Sequence, residues 1–289
     1  MAAPPSFPAA MSIDEPQSPT GPAGDERRRR FPHVPFRILI PNMITLLAIC
    51  SGLTAVRLSI EGKLELAVAA VLVAAILDAL DGRVARMLKG TSKFGAELDS
   101  LCDFVNFGVV PALMLFFFSF KEYGNLGWIA VLLFAMATAL RLARFNVMLD
   151  DPDKPAFTKD FFTGIPAPAG ALCAMLPIYL YLMGLPRFVG LPTLELIYVL
   201  AIGAMMVSRV PTYAAKTFGQ QVPREMVLPS LIIIVVFFVT LASFPFQVLT
   251  IMTLVYLAAI PWGLRRYRRL AAEHEAALAT ASAHEGVSV

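Results

Sequence analysis

Long apolar stretches recur along the chain, separated by short polar breaks that carry glycine, proline or charge. A helix needs about 20 largely apolar residues to cross a bilayer. Stretches of that order run over Ile38–Ile60, Leu64–Leu88, Gly95–Phe118, Leu126–Met148, Pro166–Leu185, Leu194–Tyr213, Met226–Phe244 and Val248–Leu264. They predict an all-α, polytopic integral membrane protein with eight transmembrane helices. Pro192 and Pro211 bracket the sixth closely. The ends differ in character. Residues 1–36 are rich in proline and small side chains and close on Arg27–Arg30, so they read as a disordered basic tail. No basic segment runs at once into an apolar core there, as a secretory signal would. Residues 265–289 read as a short polar tail, briefly helical.

Composition narrows the class. The chain has 289 residues, 57% hydrophobic and 16% charged, with mean hydropathy +0.69, far too apolar for an ordinary soluble domain. The net charge of +3 matters less than its placement. With the N-terminus in the cytoplasm, all of the 24 Lys and Arg residues except Arg57, Lys63, Lys121 and Arg187 fall at cytoplasmic ends. That asymmetry predicts both termini inside, in the inner (cytoplasmic) membrane of the cell. The basic clusters flank membrane spans, so membrane lipid is their expected counter-charge and no nucleic-acid partner is expected. Cys50, Cys102 and Cys173 have no CxxC spacing and read as buried small residues. His33, His274 and His284 lie near the ends, which leaves no histidine-based zinc site in the membrane.

Four aspartates break the apolar pattern: Asp78, Asp81, Asp99 and Asp103. An ionised carboxylate at mid-membrane costs about 2.5 to 3.5 kcal/mol even on insertion scales, so four together require a compensating charge. A hard divalent cation supplies one, because it takes oxygen ligands and retains substrate phosphates. Asp78 and Asp81 are three apart, and Asp99 and Asp103 four apart, so each pair shares a helix face. Gly82 and Ala85 leave backbone bare beside Asp78. Arg86 brings a planar fork suited to phosphate oxygens. Two acidic faces turned toward each other suit a two-metal site for in-line phosphoryl displacement. The bland alternative is an acidic pair neutralised by Arg83 and Arg86 for packing, which explains neither the glycine nor the second pair.

The order D-x2-D-G-x2-A-R-x8-G-x3-D-x3-D, read as Asp78, Asp81, Gly82, Ala85, Arg86, Gly95, Asp99 and Asp103, resembles the signature of the CDP-alcohol phosphotransferase family without departure. The resemblance covers roughly Ile40 to Pro168. It implies a six-helix catalytic core, here residues 37–215, with 216–264 as additional transmembrane helices. It also implies a homodimer, Mg2+ or Mn2+ as cofactor, and a CDP-linked lipid as substrate. On that reading Asp78, Asp81, Asp99 and Asp103 hold metal, and Asp103 is also the candidate general base. Gly82 and Ala85 let the nucleotide approach, Arg86 binds phosphate, and Gly95 belongs to the same CDP-lipid site. Ile40–Pro41–Asn42 and Thr45, Arg141–Asn146 and Phe162–Pro168 resemble the phosphatidylserine synthase branch. There Asn42 and Thr45 join the CDP-lipid site, and Arg141, Arg144, Asn146 and Thr163 are candidates for the headgroup. The implied reaction joins CDP-diacylglycerol and L-serine, releasing CMP. Glycerol 3-phosphate or inositol phosphate as acceptor is the rival within the family. A divalent-cation transporter is the rival outside it, and would spread its acidic residues over several spans toward mid-membrane.

Overall fold

The computed structural model describes residues 36–149, 161–187, 190–208, 210–213 and 224–285; the basic tail before Phe36 lies outside them. An antiparallel pair opens the fold: α1 (Phe36–Ile60) and α2 (Leu64–Met87), turned at Gly62 with φ +75°. One continuous helical path follows over Lys93–Phe118: α3 (Lys93–Phe104), a π-turn (Val105–Val109) and α4 (Val110–Phe118). A 3-10 turn (Phe120–Tyr123) leads into α5 (Asn125–Leu149). Then come β1 (Phe161–Thr163), α6 (Ala167–Ala174), α7 (Leu176–Leu182), α8 (Leu191–Val207), β2 (Pro211–Tyr213), α9 (Arg224–Ser243) and α10 (Pro245–Glu285). The protein is thus an all-α membrane fold carrying one small antiparallel ribbon, in which Thr163 of β1 pairs with Pro211 of β2.

Among the described residues, five helices are long and apolar enough to cross a membrane: Arg37–Ile60, Lys93–Phe118, Asn125–Met148, Met226–Ser243 and Pro245–Arg266. Three expected spans depart from that standard. α2 has the length, but Asp78, Asp81, Arg83 and Arg86 interrupt its apolar run. The fifth span is split at Met175. Pro177 lacks the N–H that would bond to the Cys173 carbonyl four residues back. The Tyr198 hydroxyl donates to that carbonyl instead, at 2.7 Å. The sixth span stops at Val207, giving a helix of 17 residues, and Pro211–Tyr213 is strand. Its freed C-terminal carbonyls are capped from outside the helix, since Arg144 Nη1 donates to Val207 O at 2.7 Å and to Ser208 O at 3.3 Å. The eighth runs far past Leu264, to Glu285. Cys102 and Cys173 are buried as expected, whereas Cys50 lies on the outward face of α1 and is exposed.

The core gathers Phe107, Met114, Phe134, Tyr179 and Met206 from five different elements. α9 packs against α10, and among the described residues its membrane-length window is 0% buried, with Ile232–Val236 all exposed. A helix apolar all round suits a lipid surface. At the far end of the Lys93–Phe118 path from Asp99, the Ser119 hydroxyl donates to the Glu195 carboxylate. Arg187 Nη2 reaches that carboxylate at 3.4 Å, and its guanidinium stacks over Phe118 at 4.6 Å.

Gly164 joins β1 to α6 with φ +76°, and a Cβ there would run into the carbonyls of Met205, Met206 and Ser208. Its N–H donates to Val210 O at 2.8 Å. Gly164→Ala is expected to cost about 1–3 kcal/mol, because neither the backbone angle nor the space admits a side chain. The thermal midpoint in detergent, read by loss of the monodisperse peak, checks this. An unchanged midpoint would refute it.

Candidate active site

Pro41 inside α1 has no N–H to offer the Arg37 carbonyl. Gly90, in the turn after α2, packs directly on that carbonyl, where any Cβ would overlap it. The turn itself is a Schellman closure: Gly90 N–H donates to Ala85 O at 2.9 Å, and Lys89 takes φ +51°. Two residues on, Ser92 caps α3 and its hydroxyl accepts from Gly95 N–H at 3.0 Å. These local devices bring the end of α2 and the start of α3 against α1 around one cavity.

That cavity, about 280 Å³, is lined by Asn42, Thr45, Asp81, Gly82, Ala85, Arg86, Gly95 and Asp99, and also by Pro41, the 90–92 turn and Ala96. Every CDP-lipid residue named from sequence therefore lines it. The two glycines stand in different surroundings. A Cβ at Gly82 would meet nothing within 4 Å, whereas one at Gly95 would lie 3.0 Å from Asn42 Oδ1 and 3.1 Å from Ser92 Oγ. Gly90, Thr91, Ser92 and Ala96 line it without being sequence candidates, and Pro41 enters with the Ile40–Pro41–Asn42 segment. The Thr-Ser cap and its glycine were the available signal.

One carboxylate oxygen each from Asp78, Asp81 and Asp99 lies within 4.8 Å of the other two. Asp81 is 3% exposed, and its Oδ2 accepts from Thr45 Oγ1 at 2.6 Å. Asp78 Oδ1 is buried with no hydrogen-bond partner. None of the ion pairs among the described residues involves Asp78, Asp81, Asp99 or Asp103. Neutralisation by Arg83 or Arg86 is therefore not what holds them together. A converging, oxygen-only donor set with an orphaned buried oxygen fits a hard divalent cation. Asp103 lies outside the trio, beside Asp78 and within electrostatic reach of Arg141 of α5.

The headgroup candidates are dispersed. Arg141 is buried near Asp103 and stacks over Phe145 at 5.4 Å. Arg144 caps α8. Asn146 Nδ2 donates to Ser100 Oγ at 3.1 Å, tying α5 to α3. Thr163 lies in the ribbon. None of the four lines the cavity.

Known proteins are similar to this chain. The family model of CDP-alcohol phosphatidyltransferase matches residues 38–208, and that of CDP-alcohol phosphatidyltransferase 2 matches 225–261. A Mycobacterium leprae protein named CDP-diacylglycerol–serine O-phosphatidyltransferase is 38% identical over 238 residues, covering 82% of this chain and 78% of its own. A Mycobacterium tuberculosis protein of that name is 37% identical over 238 residues, covering 82% of each. One from Helicobacter pylori is 36% identical over 177 residues, covering 60% of this chain and 70% of its own. With its acidic trio beside a cavity lined by the signature residues, and with relatives matched over most of both chains, the protein belongs to the CDP-alcohol phosphatidyltransferase family.

Proposed function

We propose that this enzyme transfers the phosphatidyl group of CDP-diacylglycerol to the hydroxyl of L-serine, giving phosphatidylserine and CMP. The observation that carries the proposal is the single cavity in which Asn42, Thr45, Gly82, Ala85, Arg86 and Gly95 meet Asp81 and Asp99. The names of the relatives supply the acceptor.

Asp78, Asp81 and Asp99 would hold the cation, Mg2+ or Mn2+, with Asp103 bordering a second one. When bound, the cation neutralises the pyrophosphate and the charge that develops on the departing CMP. The chain's own groups do the rest. Bare backbone at Gly82 and Ala85 admits the nucleotide, Arg86 binds a phosphate oxygen, and Asn42 and Gly95 close the opposite wall. Thr45 holds Asp81 in one orientation. The serine hydroxyl oxygen attacks the phosphorus that bears the diacylglycerol, and the bond from that phosphorus to the CMP oxygen breaks. Asp103 accepts the hydroxyl proton, which matters because an alcohol is a weak nucleophile at its free pKa. Arg141, buried beside Asp103, is suited to the serine carboxylate. Arg144, Asn146 and Thr163 support that side through α8, α3 and the ribbon. Residues 37–215 form the catalytic core in this reading, and α9 and the membrane part of α10 are additions to it. The active assembly is a homodimer in the inner membrane with both termini in the cytoplasm.

The test is CMP release from CDP-diacylglycerol in detergent, with serine, glycerol 3-phosphate or inositol phosphate supplied separately, with and without Mn2+ or Mg2+. Metal-dependent release with serine alone is the expected result. Release with a phosphorylated acceptor would keep the family chemistry and overturn the headgroup. No release from folded protein would return the acidic cluster to the transport reading.

A further inference from the structure

The helix that carries Asp99 and Asp103 does not continue regularly below them. Over Val105–Val109 it makes one π-turn, closed by Val110 N–H donating to Val105 O. Such a turn holds one residue more than the α-turn it replaces and is frequent at functional sites. Two close approaches clasp it. On one side Gly52 of α1 faces Asn106 so tightly that a Cβ would overlap Asn106 Oδ1. On the other, Gly108 lies against Thr138 of α5, where a Cβ would stand 3.1 Å from the threonine side chain.

Asn106 is 1% exposed, and no step of the transfer reaction uses it. Its Nδ2 donates to Cys102 Sγ at 3.1 Å, while its Oδ1 has no hydrogen-bond partner. Cys102 Sγ in turn donates to the Thr45 carbonyl at 3.4 Å, and Thr45 Oγ1 donates to Asp81 Oδ2 at 2.6 Å. A line of contacts therefore runs from the π-turn through α3 into α1 and ends on a carboxylate of the trio. An apolar side chain of similar volume would fill the same space without leaving a buried amide oxygen unpaired, so packing alone does not account for asparagine here.

We propose that Asn106 is a positioning residue for the acidic cluster. Seated by Gly52 in the π-turn, it fixes the orientation of the Asp81 carboxylate through Cys102 and Thr45. The inference rests on reading the trio as a divalent-cation site. Groups that orient metal ligands from behind typically change affinity by about 10- to 100-fold when removed, and about tenfold is expected here.

The experiment uses the full chain in detergent, freed of metal with EDTA, and titrates Mn2+ while reading the free ion by electron paramagnetic resonance. Asn106→Leu keeps the volume and removes both polar groups. Gly52→Ala leaves the amide intact and displaces it. Cys102→Ala severs the same line one link closer to Asp81, and carries the test if Asn106→Leu fails to fold. Each is expected to weaken Mn2+ binding about tenfold in protein that is still folded and monodisperse without metal, whatever the loss of thermal midpoint that Gly52→Ala and Cys102→Ala bring through overlap and lost packing. In the Gly52→Ala/Asn106→Leu double variant the losses should not add, because both act on one contact. Affinities within about twofold of wild type, or losses that add in the double variant, overturn the proposal. A wild-type protein that fails to bind Mn2+ overturns the cation-site reading itself, which separates the two failures.

Discussion

Asp103→Asn is expected to lower CMP release with serine by about 10²- to 10⁴-fold, the range lost when a positioned general base is removed. The substitution preserves shape but removes the negative charge, and with it the ability to take a proton. Asp103 lies outside the trio of converging oxygens, so Mn2+ should still bind at the Asp78, Asp81 and Asp99 site with little change. Asp81→Asn should do the reverse. It removes the charge from a carboxylate that is 3% exposed and held by Thr45, and Mn2+ affinity should fall together with turnover. Measuring Mn2+ binding and single-turnover rates on both variants separates the roles. If Asp103→Asn lowers Mn2+ stoichiometry as far as it lowers the rate, Asp103 is a metal ligand and the base lies elsewhere.

Gly82→Leu is the second large effect. A Cβ at Gly82 meets nothing within 4 Å, so the folded protein has room for a side chain. Leucine is also a better helix former than glycine. The room is the cavity itself, which Gly82 lines with Ala85 and Arg86. We expect the KM for CDP-diacylglycerol to rise at least about tenfold, equivalent to about 1.4 kcal/mol of lost binding, with the thermal midpoint unchanged or higher. Ala143→Leu is the control, because Ala143 is an exposed helical position of α5 that does not line the cavity. Equal effects at the two positions would show that the loss at Gly82 does not come from filling the cavity.

The aspartates were legible because helical spacing fixes which side chains share a face before any tertiary contact is known. Asp78 with Asp81, and Asp99 just across from them, needed only two helices and a tight turn to converge. The broken fifth span was hidden, although Pro177 stood in plain view. Whether a proline ends a helix or only bends it depends on what satisfies the freed carbonyl, and the Tyr198 hydroxyl comes from a distant element. The end of α8 was misplaced for a related reason, since Arg144 of α5 caps carbonyls that the sequence pattern would have carried further. The π-turn at Val105–Val109 leaves no mark on apolar periodicity, because Asn106, Phe107 and Gly108 are buried in succession. Arg144 and Asn146 share a helical neighbourhood with Arg141 in sequence, yet their partners are Val207, Ser208 and Ser100. Spacing alone could not separate them.

α10 has 41 residues. At 1.5 Å of rise per residue that is about 60 Å, roughly twice the hydrocarbon thickness of a bilayer. Its apolar window closes at Arg266, within a run of four arginines at 265, 266, 268 and 269, and the helix continues past it to Glu285. Arginines at such a boundary favour headgroup depth, and α10 also packs against α7 and β2. A thicker or thinner bilayer is then met by tilting the helix, as transmembrane helices commonly do. A tilt of about 20° would carry the tip of a 30 Å rod roughly 10 Å sideways. A change of membrane thickness met in this way would become lateral motion of the part of α10 beyond Arg266.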